Sequence, residues 1–199
     1  PRYSASRAEP REEADTTDNG ITYNLGVTYM PTDDLSLFVN HSKGRTAYSI
    51  LGGIEGTGDD RADSESVSDD IGIRYKAFED QMLASLVFFK SARTNLEYGN
   101  PDYEEGVSAP GTAKSFYKGK EETTGVELDL NAHINEQWMV NLNGVYQDAR
   151  DKKDPNRTSY DTRQKGVPYV TASAWVTYGA DWFSLASPLN ISLGAKFVD

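Results

Sequence analysis

Hydrophobic and polar residues alternate one for one through most of this chain, segment after segment. Residues 21–30 set Tyr23, Leu25, Val27 and Tyr29 on one face of an extended strand. Residues 35–43 set Leu35, Leu37 and Val39 against Ser36, Phe38 and Asn40, and 70–78 set Ile71, Ile73 and Tyr75 against Asp70, Gly72 and Arg74. Residues 82–97 begin apolar on both faces and turn polar. The clearest alternation is 125–134, where Val126, Leu128, Leu130, Ala132 and Ile134 interleave with Glu127, Asp129, Asn131 and His133. Residues 138–146, 169–179 and 189–197 repeat the pattern, which predicts eight strands in all. Most have nine residues or more, against a mean of about five or six in globular sheets, and a tilted strand crosses a bilayer in about 9–11.

The connections alternate as regularly as the side chains. Short ones fall at 31–34, 79–81, 135–137 and, slightly longer, 180–188; long ones run over 44–69, 98–118 and 150–168. Tight turns at one end of every hairpin and long loops at the other are the layout of an outer-membrane barrel. A soluble sandwich has no reason to sort its loops by length. Tyr23, Tyr29, Tyr75, Trp138, Tyr146 and Tyr178 stand near strand ends on the apolar face, where an interfacial girdle would lie. The expected fold is therefore all-β, an antiparallel transmembrane β-barrel with short periplasmic turns and long extracellular loops.

Composition narrows the function. Hydrophobic residues make up 37% and charged residues 26%, with no apolar run near the roughly 18–20 residues of a spanning helix. A strand-built wall evades that test, because only alternate side chains meet lipid. The net charge of −11 repels phosphate backbones, so no nucleic-acid partner is expected. There is no cysteine, which removes disulfides, thiolate catalysis and thiolate metal sites together. The chain opens at Pro1 within a polar stretch, as a mature or excised segment would.

Several runs resemble one family. GVTYMPTDDLSLFVNHSKG at 26–44 and DDIGIRYKAFEDQMLASLVFFKSARTNL at 69–96 look like strand–turn–strand signatures of TonB-dependent receptors of the ferric-siderophore type. KGKEETTGVELDLNAHINEQWMVNLNGVYQDAR at 118–150 is the most specific, through its TTGVELDL core and closing YQDAR. VPYVTASAWVTY at 167–178 and the RY at 2–3 fit as well. The resemblance implies a barrel of about 22 strands plugged by a separate domain. Residues 1–199 would be one partial barrel domain, its eight strands a little over a third of the whole, with plug and closing strands elsewhere. It further implies a receptor in the bacterial outer membrane that imports a ferric siderophore or similar chelate with energy from the TonB complex. That complex would act through an N-terminal region not in this sequence. Cobalamin, a glycan or another metal chelate is the alternative cargo; a passive porin-like channel and a soluble adhesion sandwich are the alternatives of other classes.

Candidate chemistry is sparse. His41 and His133 have no histidine at ligand spacing, and the adjacent acids Glu104–Glu105 and Glu121–Glu122 point to opposite faces of any strand. Catalytic residues, metal ligands and cofactors are therefore expected to be none. Glu55, Asp59, Asp60, Asp63 and Glu65 lack the ordered spacing of a calcium loop and read as a solvated cluster. Loop 150–168 carries Arg150, Lys152, Lys153, Arg157, Arg163 and Lys165 against Asp151, Asp154 and Asp161, six cations to three acids. Such a loop suits an anionic ferric chelate or the phosphates of lipopolysaccharide. Tyr98, Tyr103, Phe116 and Tyr117 of loop 98–118 are candidates to stack on a planar ligand. The mixed-charge loop as plain solvated surface, and the aromatics as internal packing, are the simpler readings of the same residues.

Overall fold

The computed structural model describes residues 20–46, 64–100, 102–109, 112, 115–153, 161–180 and 189–199; of 115–118, 153 and 180 only the backbone is described. The described residues form strands and turns. The strands are β1 (Tyr23–Thr32), β2 (Leu35–Thr46), β3 (Ser64–Ala77), β4 (Met82–Gly99), β5 (Ser115–His133), β6 (Trp138–Lys153), the two-residue β7 (Thr162–Arg163), β8 (Val170–Ala180) and β9 (Leu189–Val198). They make one antiparallel meander in the order β1-β2-β3-β4-β5-β6-β8-β9, with β7 paired to β6 outside that path. The sheet is open, and every residue of the outer strands β1 and β9 is exposed. Among the described residues no helix is long and apolar enough to cross a membrane, which says nothing of strands.

The register carries each alternation across the whole sheet. Val27 faces Val39, then Ile71, Phe88, Val126, Tyr146 and Val170 follow strand by strand in one row. The next row runs Tyr29, Leu37, Ile73, Leu86, Leu128, Gly144, Ala172 and Phe197. Directly opposed residues share a face, so these rows stack into one apolar band. The other face holds rows such as Ser36, Arg74, Ser85, Asp129, Asn143, Ser173 and Lys196. Among the described residues no second layer covers the band: Leu193 is 79% exposed, and the buried apolar residues are the small Ala132 and Ala149. A single sheet with a continuous bare apolar face has no core of its own to stabilise it in water.

The polar face has its own packing device. The Phe38 ring lies over Gly72, the Phe89 ring over Gly125 and the Trp175 indole over Gly194, each from a neighbouring strand. A missing Cβ makes the recess that each ring fills. Leu83, Val87 and Phe89 share this face with Glu127 and Asn131, which explains why residues 82–89 read as apolar on both sides.

Three departures from the expected boundaries share one cause. The long connections expected at 44–69, 98–118 and 150–168 contain paired strand: β2 reaches Thr46, β3 starts at Ser64, and β5 starts at Ser115. β6 continues to Lys153, and β7 lies within the third loop. Above the apolar band both faces are polar, so the hydrophobic alternation fades while the backbone ladder continues. Opposed charges run along that extension, as in Lys43–Glu65 (3.0 Å), Lys90–Glu122 (3.4 Å) and Arg93–Glu121 (3.7 Å). Glu121 and Glu122 take different partners, as adjacent strand residues must. The acidic residues 55–63 and the connection 181–188 lie outside the described residues.

The three short turns among the described residues, at 31–34, 79–81 and 135–137, are where the sequence places them. In the turn at 135–137, Asn135 Oδ1 accepts from the backbone N–H groups of Gln137 and Trp138, both at 2.9 Å. The β3–β4 turn is tighter. Glu79 and Asp80 hold φ of 54° and 66°, and Gln81 N donates to Phe78 O at 3.1 Å. A two-residue turn of this hand favours Asn-Gly, and each non-glycine residue in that region costs about 1–2 kcal/mol. Replacing Glu79–Asp80 by Asn–Gly is expected to stabilise the full-length protein by about 1 kcal/mol after the entropy lost on ordering glycine. A raised urea midpoint with unchanged slope would register it.

Candidate functional site

Parity along β6 decides what its upper end can do. Trp138, Val140, Leu142, Gly144 and Tyr146 belong to the apolar face, and two-residue steps from Tyr146 reach Asp148 and Arg150. Arg150 stands opposite Glu122, which stands opposite Ala92, all on the side that carries the band. Lys152, past a register shift, joins the same side by contact with Glu122 at 4.0 Å and Asp161 at 2.8 Å. Arg150 Nε donates to Asp148 at 2.7 Å, and its Nη1 lies 3.5 Å from Asp161. Hydrogen bonding from Lys152 is the main cause that holds the Asp161 carboxyl below its usual range, with the charges of Lys152 and Arg150 adding to it.

The segment 161–169 folds back along the edge of β6. Asp161 N donates to Asp151 O at 3.0 Å, Gln164 N to Ala149 O at 2.9 Å, and Gln147 N to Tyr169 O at 2.8 Å. Arg163 is set opposite Arg150. Its guanidinium lies 3.4 Å from the Tyr169 ring centroid and donates to Val167 O at 2.6 Å. Tyr169 in turn stacks on Tyr146, centroids 6.2 Å apart. Arg150, Lys152 and Arg163 thus come together above an aromatic pair. Among the described residues Arg163 has no carboxylate within ion-pair distance, whereas Arg150 and Lys152 do.

The depressed Asp161 carboxyl gives a pH expectation. Its contribution to holding segment 161–169 against β6 is complete above the ordinary Asp value of about 3.9 and is lost as pH falls through the lower folded value. Carbon NMR of that carboxyl should show a midpoint that rises when Lys152 is replaced by Gln.

The other candidates sit apart. Tyr98 lies in β4 opposite Phe116 and has its ring against Gly119, and Tyr117 pairs with Glu97 in the same hairpin. Tyr98 is six residues beyond Ala92, so the hairpin tip rises about 20 Å past Arg150 along the strand direction. Tyr103 belongs to the turn at the tip. There Tyr103 N donates to Asn100 O at 3.1 Å, Glu104 N to Ser108 Oγ at 2.7 Å, and Gly106 supplies a φ of +79°. The side chains of Phe116, Tyr117 and Lys153, and all of Arg157, lie outside the described residues.

Two groupings escaped the sequence reading. On the polar face Asn143 Nδ2 donates to Asp129 at 2.8 Å, Ser173 Oγ to Asn143 at 3.1 Å, and Asn141 Nδ2 to Asn131 at 2.6 Å. Beside them the Arg74 guanidinium lies 4.5 Å from the Phe38 ring centroid. On the apolar side His41 joins Asp69 at 2.6 Å and the Tyr23 hydroxyl at 3.2 Å, just above the band. Both needed the register between strands, which a single segment does not contain. Among the described residues no three His, Cys, Asp or Glu side chains cluster to hold a metal.

Comparison with known proteins places this wall in context. The family model described as TonB dependent receptor-like, beta-barrel, matches residues 2–199. The "Probable TonB-dependent receptor BfrD" of Bordetella pertussis is 26% identical over 196 residues, 94% of this chain and 24% of that protein. The "Probable TonB-dependent siderophore receptor PiuA" of Acinetobacter baumannii is 22% identical over 99% of this chain and 27% of its own length. The chain thus spans about a quarter of the length of each of these two relatives. The ferripyoverdine receptor of the Pseudomonas aeruginosa outer membrane superimposes with a TM-score of 0.70 at 16% identity, covering 88% of this chain and 22% of that one. At that identity the likeness concerns the fold.

Proposed function

The chain belongs to the TonB-dependent receptor β-barrel family, and from that premise we propose that it forms part of an outer-membrane receptor importing a ferric siderophore. The observation that carries the membrane half of this reading is the bare apolar band. Strand after strand supplies it, and on β5 it runs from Val126 to Ala132 with Ile134 one residue past the strand's end, nine residues in all. Nine residues match the roughly 9–11 of a tilted strand crossing a bilayer. Trp138 and Tyr178, ring centroids 4.6 Å apart, lie at the turn end, and Tyr146 and Tyr169 at the other, as interfacial aromatics do. The band faces lipid, the polar face lines the lumen, and the extended hairpins rise outside the cell.

The siderophore half rests on the relatives, of which PiuA is named as a siderophore receptor. Ligand capture falls to the external hairpins, with Tyr98, Tyr103, Phe116 and Tyr117 stacking on the chelate and Lys153 and Arg157 drawing its negative charge. Arg150, Lys152 and Arg163 are nearer the membrane; lipid and lipopolysaccharide are the partners of the outward side. Energy comes from the TonB complex through other parts of the longer protein.

Cells lacking the intact gene should lose uptake of radiolabelled iron from one ferric siderophore in a panel and regain it with the gene. Unchanged uptake across the panel would leave the barrel and move the cargo to cobalamin, a glycan or another metal. Uptake that persists without TonB would favour a passive channel.

A further inference from the structure

Resting on the siderophore reading above, we infer that two offset β-bulges in the β4–β5 hairpin turn Leu96 and Tyr98 to the lumen side, where they take an aromatic ring of the cargo, with Asn95 as their positioning residue. Thr94 faces Lys120, yet the next pair is Leu96 with Gly119, so Asn95 is an extra residue on β4. After that pair comes Glu97 with Tyr117, so Lys118 is extra on β5. An extra residue of this kind re-aims the side chains beyond it. Asn95 takes it up in the left-handed region, with φ of 57°, which asparagine enters far more readily than a β-branched residue.

The consequence for facing is visible at Gly119. Glu121 faces Arg93 on the polar side, and Gly119, two residues on, keeps that side. A Cβ built on Gly119 would lie 3.0 Å from Leu96 Cβ and against the Tyr98 ring. Leu96 and Tyr98 are therefore on the lumen side. In an uninterrupted ladder, counting by twos from Arg93 would put Asn95 and Glu97 there instead and turn Tyr98 outward. Gly119 stands seven residues beyond Val126, roughly 23 Å along the strand. The strip thus clears the headgroup layer and belongs to the mouth. The nearest described charges on this side are Arg93, Glu121 and Asp151, with no excess of cations. A half-buried tyrosine beside a leucine selects for a ring by stacking and apolar contact, not for charge.

The geometry is tested first, on the full-length receptor and without cargo. Leu96→Cys with Gly119→Cys should close a disulfide under mild oxidation, and Glu97→Cys with Gly119→Cys should not. Adding Asn95→Ile should abolish the first crosslink, and adding Asn95→Gly should keep it. Absence of that crosslink, or its survival with Asn95→Ile, would overturn the inference. Binding is then read as radiolabelled iron retained by the purified receptor from its complexes with a tricatecholate, a phenolate, a trihydroxamate and a polycarboxylate. A ring-bearing complex should be retained in preference to the ring-free ones. Tyr98→Ala and Asn95→Ile should each weaken it about tenfold, the worth of one aromatic contact. Tyr98→Phe and Asn95→Gly should restore it, and Glu97→Ala, on the outward side, should leave it unchanged. Ring-free complexes retained alone or equally well would overturn the inference and leave the siderophore receptor standing. So would a ring-bearing complex whose retention is indifferent to Tyr98→Ala or Asn95→Ile. Retention of none of the four would overturn both readings.

Discussion

Replacing Leu128 with Arg in the full-length protein is expected to cost roughly 2–4 kcal/mol and to deplete the assembled barrel from outer membranes. Leu128 lies mid-row between Leu86 and Gly144, on the face where Leu37, Ile73 and Phe197 complete the same level. A guanidinium there must either enter hydrocarbon or drag water and headgroups inward to meet it. Leu193→Arg, in the exposed strand β9, should behave in the same way. Asn131→Arg is the control. It loses the 2.6 Å hydrogen bond from Asn141, yet the charge emerges into the polar interior, where water solvates it. Barrel assembly read by heat-modifiable mobility in gels should fall for the two leucine variants and hold for the asparagine variant.

A second large effect is expected at Gly125. A Cβ built there would sit 2.5 Å from the carbonyl oxygen of Tyr146 and against the Phe89 ring. The ring can swing aside, but the carbonyl belongs to the β5–β6 ladder and can move only if the strands part. Gly125→Leu should therefore destabilise by about 3 kcal/mol, the upper end of overpacking costs. Adding Phe89→Ala should restore only the part due to the ring. Full restoration by Phe89→Ala would show that the backbone has more freedom than this register allows. Urea unfolding of the four proteins in detergent gives the cycle directly.

These expectations depend on knowing which way each residue points, and that knowledge came unevenly from the sequence. Leu128, Leu142 and Val176 could be assigned from alternation alone, because one face is driven to be apolar by the solvent it meets and the other is not. Tight turns such as that at Asn135 were legible for a local reason, a side chain able to hydrogen-bond its own backbone two and three residues on. Residues 115–124 were not legible as strand. From Lys120 to Thr124 no apolar residue marks either face, and pairing is enforced by β4 along the whole stretch and by β6 from Lys120 on. β7 was invisible because two residues carry no period.

The candidate site shows the same boundary. Arg150 was recognisable as part of a basic cluster, and counting by twos from Tyr146 gives its side. Lys152 lies beyond the shift between Lys120 and Glu121, where counting fails. Asn95 in β4 holds a φ of 57° next to another register shift, so parity cannot be carried to Tyr98 either. Irregular pairing concentrates in the outer halves of the hairpins, where ligand and lipid specificity would reside. Fold was therefore more legible than function in this chain.

The most direct test of the account is spin-label accessibility along β5 in the full-length receptor, reconstituted in lipid vesicles with labels placed one at a time from Val126 to Asn131. The account predicts a strict two-residue period: labels at 126, 128 and 130 relax with dissolved oxygen in the bilayer, and those at 127, 129 and 131 with a water-soluble nickel chelate. Equal accessibility to the chelate at all six positions would contradict the membrane wall itself.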